Sequence, residues 1–255
     1  MRIAMSFDDG RKDNFEVVMP VLLKYELTAT FNISTAYVDG TISKEDRPCK
    51  NAAMSKEDIV KLADCGFEIA CHGDHHKNDS EDIRNGRTKL ASWLGWDSRF
   101  KPGFASPRSN LSIDEIHGNR EFFQELFSYI RIASYGKEGI ARKLLRKIAH
   151  KTHSRILYRY AYRNCIGGVR DGFVATSVSV IKDATLEQVI SLIKMAERKD
   201  KDCILMFHSI QGITESEAND LWCWDVNKFE KLCKWLYEEE QLNNLEVVNT
   251  IDMLA

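Results

Sequence analysis

The chain opens with a short apolar run that ends in two acids: residues 2–10 read RIAMSFDDG. Arg2–Phe7 predicts a buried strand, because the run is short, apolar and bounded by the turn signal Asp9-Gly10. The adjacent carboxylates of Asp8 and Asp9 repel each other unless a cation or a shared proton lies between them. The stretch therefore predicts either a plain turn or one edge of a charged site at the end of a strand.

Outward from this stretch, short β-rich runs alternate with helical patterns. Further strands are predicted over residues 28–33, 67–71, 203–207 and 246–249. Helices are predicted over residues 15–25, 55–64, 185–199 and 226–239. Capping residues indicate helix starts at Ser55, Ser112 and Thr185. This alternation implies parallel strands with crossover helices, and its repetition favours one α/β domain, residues 1–255, closed or nearly closed into a barrel.

Composition sets limits on the class of protein. The 255 residues include 44% hydrophobic residues, enough for a single core, and the formal net charge of −2 argues against disorder and against global nucleic-acid binding. No apolar stretch has the length of a membrane span, and no signal peptide is predicted ahead of Asp8. The cysteines form no CxxC pair, which predicts reduced thiols and a cytoplasmic location. They are Cys49, Cys65, Cys71, Cys165, Cys203, Cys223 and Cys233.

One segment departs from this rhythm, because its charge is strongly basic. Against the single acid Glu138 it carries the basic residues Lys137, Arg142, Lys143, Arg146, Lys147, Lys151, Arg155, Arg159 and Arg163. Apolar residues are interleaved, so the pattern predicts a basic amphipathic helical insertion at about residues 137–170. It is either a solvated helix packed on the barrel or a contact for an anionic partner: a phosphate-bearing sugar carrier, an acidic glycan or a membrane surface. Nucleic acid is the weakest of these interpretations.

Polar clusters follow three of the predicted strands directly. They are SFDDG at residues 6–10, HGDHH at residues 72–76, and His208-Ser209. Each cluster alone has a plain interpretation as a turn, a surface loop or a structural histidine. Active-site residues of α/β barrels gather at the C-terminal ends of strands, so we expect the three to meet. One carboxylate and two imidazoles make a three-ligand zinc set with a position left for water, and a second carboxylate and a third imidazole remain for proton transfer.

These motifs resemble those of the polysaccharide deacetylase family, the NodB-homology or carbohydrate esterase 4 group. Ser6–Gly10 is similar to the family's first motif, Thr/Ser-Phe-Asp-Asp-Gly, and His72–His76 to its second, His-(Ser/Thr)-x-x-His. Leu205–His208 is similar to its late motif, an apolar strand that ends in histidine. The resemblance implies a distorted (β/α) barrel of the NodB-homology type, with fewer than eight regular units, in a single domain.

The resemblance also implies a role for each motif residue. Asp9, His72 and His76 would hold one divalent metal ion, which we expect to be Zn²⁺. Asp8 would be the general base and His208 the general acid. The implied activity is metal-dependent hydrolysis of an N-acyl group, expected to be acetyl, on an amino sugar.

The sequence departs from the family pattern in two places. Gly73 stands where the family has Ser or Thr, so a hydroxyl that steadies the loop is missing. The third motif is blurred: residues 100–108 read FKPGFASPR, and Phe104–Pro107 fits the Phe-Ala-Tyr-Pro variant with Ser106 in place of Tyr. The group that orients the base is therefore left open between Arg108 and Arg131. Asp171 and Asp183 are the candidates for orienting His208.

Candidate substrate contacts follow from the same motifs. Pro107 and Arg108 lie in the third motif, whose backbone N–H groups are candidates for stabilising an oxyanion. Trp222 and Trp224 follow the His208 loop and could form a stacking wall for a sugar ring, or pack in the core.

Three classes of function are compatible with these observations. The leading expectation is an enzyme that de-N-acylates an amino sugar in a glycan or glycolipid precursor, and the basic insertion would suit a lipid- or phosphate-linked one. A second keeps the metal site but acts on a small linear or cyclic amide. A third is a catalytically silent module that binds a glycan, or touches a membrane peripherally through the basic insertion.

Overall fold

The structure is a computed structural model that describes residues 1–133, 139–212 and 220–254. Its strands are β1 (Arg2–Phe7), β2 (Thr30–Ile33), β3 (Glu68–Cys71), β4 (Gly103–Ala105), β5 (Tyr129–Ile132), β6 (Val169–Arg170), β7 (Val174–Ser179), β8 (Cys203–Phe207), β9 (Ser209–Gln211), β10 (Cys223–Asp225) and β11 (Glu246–Val247). Its α-helices are α1 (Met19–Lys24), α2 (Thr35–Val38), α3 (Lys56–Asp64), α4 (Ser80–Leu94), α5 (Ile113–Gly118), α6 (Arg120–Leu126), α7 (Ile140–Thr152), α8 (Arg155–Tyr162), α9 (Leu186–Glu197) and α10 (Val226–Gln241).

Seven parallel strands close into a ring in the order β1-β2-β3-β4-β5-β7-β8, and β8 pairs back onto β1. The closing pair runs in register from Ile3 opposite Cys203 to Phe7 opposite Phe207. Strand β11 pairs in parallel with the start of β1, and β6 pairs antiparallel with β7. The prediction of a single-domain α/β barrel with fewer than eight regular units is confirmed.

The helices begin where their capping residues predict. Ser55, Ser112 and Thr185 each accept a backbone N–H in a complete capping box, so α3, α5 and α9 start one residue later. The helix predicted over residues 15–25 is less regular, because its first part is a π-helical turn, Asn14–Val18, that leads into α1. Strand β11 is shorter than predicted, since the chain turns into a 3₁₀ helix at Ile251–Leu254.

Polar groups close the N-terminal end of the barrel. Tyr129 packs directly over Gly103, where a Cβ would lie 2.1 Å from the tyrosine ring. The Tyr129 hydroxyl donates to Glu68 (2.9 Å), and the Thr30 hydroxyl donates to the other oxygen of that carboxylate (2.6 Å). This network occupies the N-terminal end of the barrel. The polar motifs lie at the opposite end, where the strands terminate.

The basic segment is helical and packs on the barrel. It supplies α7 and α8, which form the crossover from β5 to β7. Tyr158 and Tyr162 are buried, and Gln188 of α9 donates to the Ala149 carbonyl (2.8 Å). Lys137 and Glu138 lie outside the described residues. In the part of the chain that the structure describes, no helix has both the length and the apolar character that a membrane span requires.

Candidate metal centre and active site

The three predicted metal ligands converge at the ends of β1 and β3. Asp9 Oδ1 lies 3.5 Å from Nε2 of His72 and 3.5 Å from Nε2 of His76. One ligand atom from each of the three residues lies within 4.8 Å of the others, and all three residues are buried. Ligand atoms about 2.1 Å from a tetrahedral zinc ion would be about 3.4 Å apart, so the spacing suits such an ion.

The protonation pattern of the trio also fits a cation. His72 Nδ1 lies 2.8 Å from the Ala105 carbonyl, which fixes the proton on Nδ1 and leaves the Nε2 lone pair facing Asp9. Asp9 Oδ1 is buried with no hydrogen-bond partner among the described residues. An unsatisfied buried carboxylate oxygen is costly, and a cation held by the three residues would satisfy it.

Arg11 holds the other oxygen of Asp9, and sequence analysis did not single this residue out. Its Nε and Nη2 each lie 2.9 Å from Asp9 Oδ2, and its Nη1 lies 3.1 Å from Asp220. Burial alone would raise the pKa of Asp9, but the Arg11 charge, with a smaller contribution from the neighbouring His72, keeps that pKa well below its ordinary value. Asp9 is therefore an ionised carboxylate whose Oδ2 is bound by Arg11 and whose Oδ1 is available to a cation.

The two oxygens of Asp8 also have different surroundings, one bound by protein donors and one facing His208. Arg131 Nη2 lies 2.5 Å from Asp8 Oδ1, and the Asn32 amide donates to the same oxygen (2.8 Å). Burial is the largest single effect and raises the pKa of Asp8, but the Arg131 charge, with smaller contributions from His72 and His208, lowers the pKa below its ordinary value. Of the two arginines that the sequence left open, Arg131 reaches Asp8, while Arg108 is exposed. The Asp8 oxygen Oδ2 faces His208.

His208 completes the group. Its Nε2 lies 3.9 Å from Asp8 Oδ2, and its Nδ1 is buried without a hydrogen-bond partner among the described residues. Burial lowers the pKa of His208 to about 4, although Asp9 and Asp8 act in the opposite direction, so the imidazole is neutral near pH 7. The carboxylate next to His208 is that of Asp8; Asp171 instead lies 3.9 Å from His117.

The backbone of His208 is anchored from the other end of the sequence. The Asn14 amide donates to the His208 carbonyl (2.7 Å). Asp13 Oδ2 accepts from the Ile210 N–H (2.6 Å) and from the Ser209 hydroxyl (3.0 Å). These contacts set the sharp change between β8 and β9 that turns His208 toward Asp8. Sequence analysis missed both residues, since Asp and Asn near a helix start have an ordinary interpretation as capping residues.

The histidine loop is steadied without the hydroxyl that Gly73 lacks. Gly73 has φ of 75°, and a Cβ there would lie 2.5 Å from the Asp82 carboxylate. That carboxylate accepts the backbone N–H groups of Asp74, His75 and Lys77 at 2.7–3.0 Å. The glycine therefore lets the loop close around Asp82. The same loop contains His76, whose backbone is left-handed (φ 59°).

The loop after β4 is tied to this histidine loop. The Ser106 hydroxyl donates to Asn78 Oδ1 (3.0 Å), and Asn78 Nδ2 donates to the Pro107 carbonyl (2.9 Å). The backbone N–H of Ser106 already donates to a carbonyl of β5 and is not free for an oxyanion. Pro107 is buried, whereas Arg108 lines a cavity of about 310 Å³ together with His76. Of the two predicted substrate contacts here, Arg108 is the one on a cavity wall.

The two tryptophans, which the sequence grouped together, have different surroundings. The Trp222 ring centroid lies 4.4 Å from that of His208, and Trp222 is 37% exposed. Trp224 is fully buried, packs against Phe207 with the two rings tilted, and donates its indole N–H to the Ala184 carbonyl (2.9 Å). The prediction that Trp224 contacts the substrate is wrong, because its indole N–H and ring are both satisfied within the core.

Comparisons with known proteins agree with this arrangement. Residues 1–127, which carry Asp8, Asp9, His72 and His76, match the family model described as polysaccharide deacetylase. No curated protein matches the sequence.

Solved structures share the fold of the whole chain. The CE4 domain of a multidomain xylanase from the hindgut metagenome of Trinervitermes trinervoides aligns with a TM-score of 0.51 at 15% identity, over 99% of this chain and 88% of that one. A CE4 family pseudoenzyme from Bacillus anthracis aligns with a TM-score of 0.50 at 12% identity, over 100% of this chain and 65% of that one. At such identities the likeness concerns the fold alone. With its two N-terminal motifs and its seven-stranded barrel, the chain belongs to the polysaccharide deacetylase family.

Proposed function

We propose that the protein is a metal-dependent hydrolase that removes an N-acyl group, most simply acetyl, from an amino sugar in a glycan or glycolipid precursor. One observation carries this proposal: the buried Asp9–His72–His76 trio, with its open carboxylate oxygen, lies beside a second carboxylate and a third imidazole. A cation site next to a base and an acid is the equipment that amide hydrolysis requires.

Zinc is the ion that we propose for the trio. Two imidazole nitrogens and one carboxylate oxygen suit tetrahedral zinc and leave a fourth position for water or substrate. When bound, the ion would lower the pKa of water and polarise the acyl oxygen. Arg11 keeps Asp9 ionised, and the Ala105 carbonyl keeps the His72 lone pair available for that role.

Proton transfer falls to Asp8 and His208. Arg131 and Asn32 occupy one oxygen of Asp8, so its Oδ2 is the atom that accepts a proton from the attacking water. Neutral His208 lies 3.9 Å from that oxygen, a separation that one bridging water spans, so the proton can pass through such a water to the imidazole and on to the leaving amine. Amines leave poorly as anions, so this protonation is the step that lets the carbon–nitrogen bond break.

The sugar is proposed to lie between two partly exposed side chains. Arg108 lines the cavity beside the proposed ligand His76, and Trp222 packs against the proposed acid His208. A sugar ring packs well on an indole face, and a guanidinium binds hydroxyl or acyl oxygens. This placement sets the acyl carbonyl between the proposed metal ligands and the proton-transfer pair.

The helices α7 and α8 support a peripheral contact with an anionic membrane, which would bring the protein to a glycolipid precursor. Ile140, Leu144 and Ile148 form a stripe at i, i+4 and i+8 that is 86%, 56% and 41% exposed. Basic side chains on the same helices complement anionic lipid headgroups. We also propose a cytoplasmic location, supported by seven free cysteine thiols.

We expect the protein to bind vesicles of phosphatidylglycerol and phosphatidylcholine but not vesicles of phosphatidylcholine alone. The double substitution Ile140→Gln and Leu144→Gln is expected to lower partitioning by about tenfold or more, since each buried apolar side chain contributes about 1.5–3 kcal/mol. Co-sedimentation measures this, with Leu242→Gln, at a position 68% exposed beyond the end of α10, as the matched control. Equal sedimentation of the wild type and the double variant would refute the contact.

The hydrolase proposal is tested by measuring metal content and acetate release together. Purified protein is assayed by elemental analysis and incubated with N-acetylated oligosaccharides and with UDP- and lipid-linked N-acetyl sugars. We expect about one zinc ion per chain, with both metal and acetate release lost in Asp9→Ala and in His72→Ala. His75→Ala is the matched control, since the neighbouring His75 lies outside the trio and pairs with Asp74.

Other outcomes separate the remaining functions. Bound metal with release of ammonia or amine from small linear or cyclic amides would indicate the second enzyme class. Bound metal with no turnover of any substrate would indicate a silent binding module. A protein that binds no divalent metal even after reconstitution would overturn the proposal.

A further inference from the structure

A second cavity, of about 580 Å³, is lined by Trp222, whose ring packs against that of His208, and it shares no lining residue with the cavity of Arg108. Residues of α7 and of the loop after β7 form the rest of its lining. Ser179, the last residue of β7, lines it and pairs with Met206, two residues before His208. Trp222 both lines the cavity and packs against the His208 ring, so it connects the cavity wall with the proposed acid.

The charged groups around this cavity are mostly basic. Arg146, Lys147 and Lys151 line it from α7, against Asp183 as the acid among the described lining residues. The Arg146 guanidinium is held in place, since it lies 4.4 Å from the Tyr162 ring centroid. Three cations in a concave site attract an anion, and a preorganised guanidinium suits the oxygens of a phosphate.

His150 adds a buried donor to the same wall. It is 6% exposed and lines the cavity, and its Nε2 lies 3.2 Å from the Tyr162 hydroxyl. Its Nδ1 is buried and has no partner among the described residues. Donation by the tyrosine hydroxyl to Nε2 leaves the proton on Nδ1, and the imidazole also interacts with the backbone of Asp183, another residue of the cavity wall. A ligand oxygen in the cavity would be a further acceptor for this N–H.

The other side of the cavity is apolar. Ile181, Leu221 and Trp222 line it, and Leu221 and Trp222 are 49% and 37% exposed. A free inorganic anion would leave these surfaces in water. An anion attached to an apolar group would cover them, and the hydrophobic contact would add to the charge attraction.

We propose that this cavity binds the phosphate of a phosphate-linked amino sugar, with the carrier group attached to that phosphate packed on Ile181, Leu221 and Trp222, while the sugar extends past Trp222 toward Asp8 and His208. The proposal rests on the proposed hydrolase function for the sugar, but the phosphate site itself does not depend on turnover. The phosphate can come from a polyprenyl carrier or from a nucleotide, and the two sources are distinguished experimentally.

Binding is measured by isothermal titration calorimetry with the metal-reconstituted protein and four probes: geranyl phosphate, geraniol, UDP and inorganic phosphate. We expect geranyl phosphate or UDP to bind at least tenfold more tightly than inorganic phosphate and geraniol, with affinity falling as salt rises. Tighter binding of geranyl phosphate identifies a lipid carrier as the source, and tighter binding of UDP a nucleotide. Equal affinity for geraniol and geranyl phosphate overturns the proposal.

Matched variants locate the site. The double substitution Lys147→Gln and Lys151→Gln is expected to weaken binding of the preferred probe by about tenfold, because two cations are removed. Lys231→Gln with Lys234→Gln removes the same charge from exposed positions on α10 and is expected to leave that affinity unchanged. Equal affinities in the wild type and the Lys147/Lys151 variant would place the phosphate elsewhere, on the metal centre for example, and overturn the site.

This experiment stays separate from the test of hydrolysis. Calorimetry detects the phosphate site whether or not acetate is released, so a protein without hydrolase activity can still support it. If the protein hydrolyses N-acetyl sugars, the ratio of kcat/KM for N-acetylglucosamine 1-phosphate over N-acetylglucosamine is expected to fall about tenfold in the Lys147/Lys151 variant. An unchanged ratio overturns the link between the cavity and the substrate, while leaving the hydrolase intact.

Discussion

Asp8→Asn is expected to lower kcat by about 10²- to 10⁴-fold, the range typical for loss of a general base. The amide is nearly isosteric, so Arg131 and Asn32 still meet an oxygen at this position, while the atom that faces His208 can no longer accept a proton from water. Zinc content is expected to be unchanged, because the ligands belong to the neighbouring Asp9 and to the histidine loop.

The measurement is steady-state acetate release together with metal analysis of the same preparation. Asp220→Asn, which changes a carboxylate that touches Arg11 from outside the trio, is the matched control and should retain most of its kcat. Near-normal turnover by metal-loaded Asp8→Asn would remove Asp8 from the role of base.

Arg131→Met is expected to cost about 3–5 kcal/mol in the free energy of unfolding near pH 7, because it leaves the buried Asp8 carboxylate without its ion partner. In the wild type the folded-state pKa of Asp8 is lowered, so this carboxyl stabilises the fold above its unfolded pKa and loses that contribution as pH falls. Without Arg131, burial dominates and raises the pKa of Asp8. The deficit of the variant should therefore shrink toward acid pH.

Two measurements check this expectation. Urea unfolding at several pH values gives the stability difference, and the acid limb of the kcat/KM profile should move to higher pH as the base becomes harder to ionise. The double variant Asp8→Asn with Arg131→Met should be less destabilised than Arg131→Met alone, since no buried carboxylate remains. A stability difference that does not vary with pH would mean that Arg131 acts through packing rather than through its charge on Asp8.

Much of the frame could be predicted from sequence, because its signals are local. The side chains of Ser55 and Thr185 cap the helices that follow them, and Cys203–Phe207 is apolar throughout. Strands β4, β5 and β7 were missed. Strand β4 has three residues, and the other two place polar side chains such as Arg131 and Ser177 inside the barrel, which breaks the apolar pattern that predicts a strand.

The candidate site divides in the same way. The proposed ligands and proton-transfer residues lie in recognisable motifs at strand ends, so sequence identifies them and the closed barrel places them close together: Asp8, Asp9, His72, His76 and His208. The residues that hold them in place belong to no such motif. Arg11, Asn32 and Asp82 are ordinary polar residues until burial and distance show what they hold, and the wall formed by α7 depends on how a crossover packs. The burial of Trp224 likewise depends on the Ala184 carbonyl, which accepts its indole N–H and which only the tertiary structure brings within reach.

The pairing of β1 with β8 has a consequence for how the protein acquires activity. Phe7 and Phe207 are neighbours in register although 200 positions separate them, and they hold Asp8 and His208 next to each other. Contacts between such distant parts of a chain are slow to form, because loop closure costs entropy before the pairing offsets it. During refolding the local helices can therefore recover their circular dichroism signal before β1 and β8 pair. In the proposed hydrolase, the return of turnover would report the formation of this pairing.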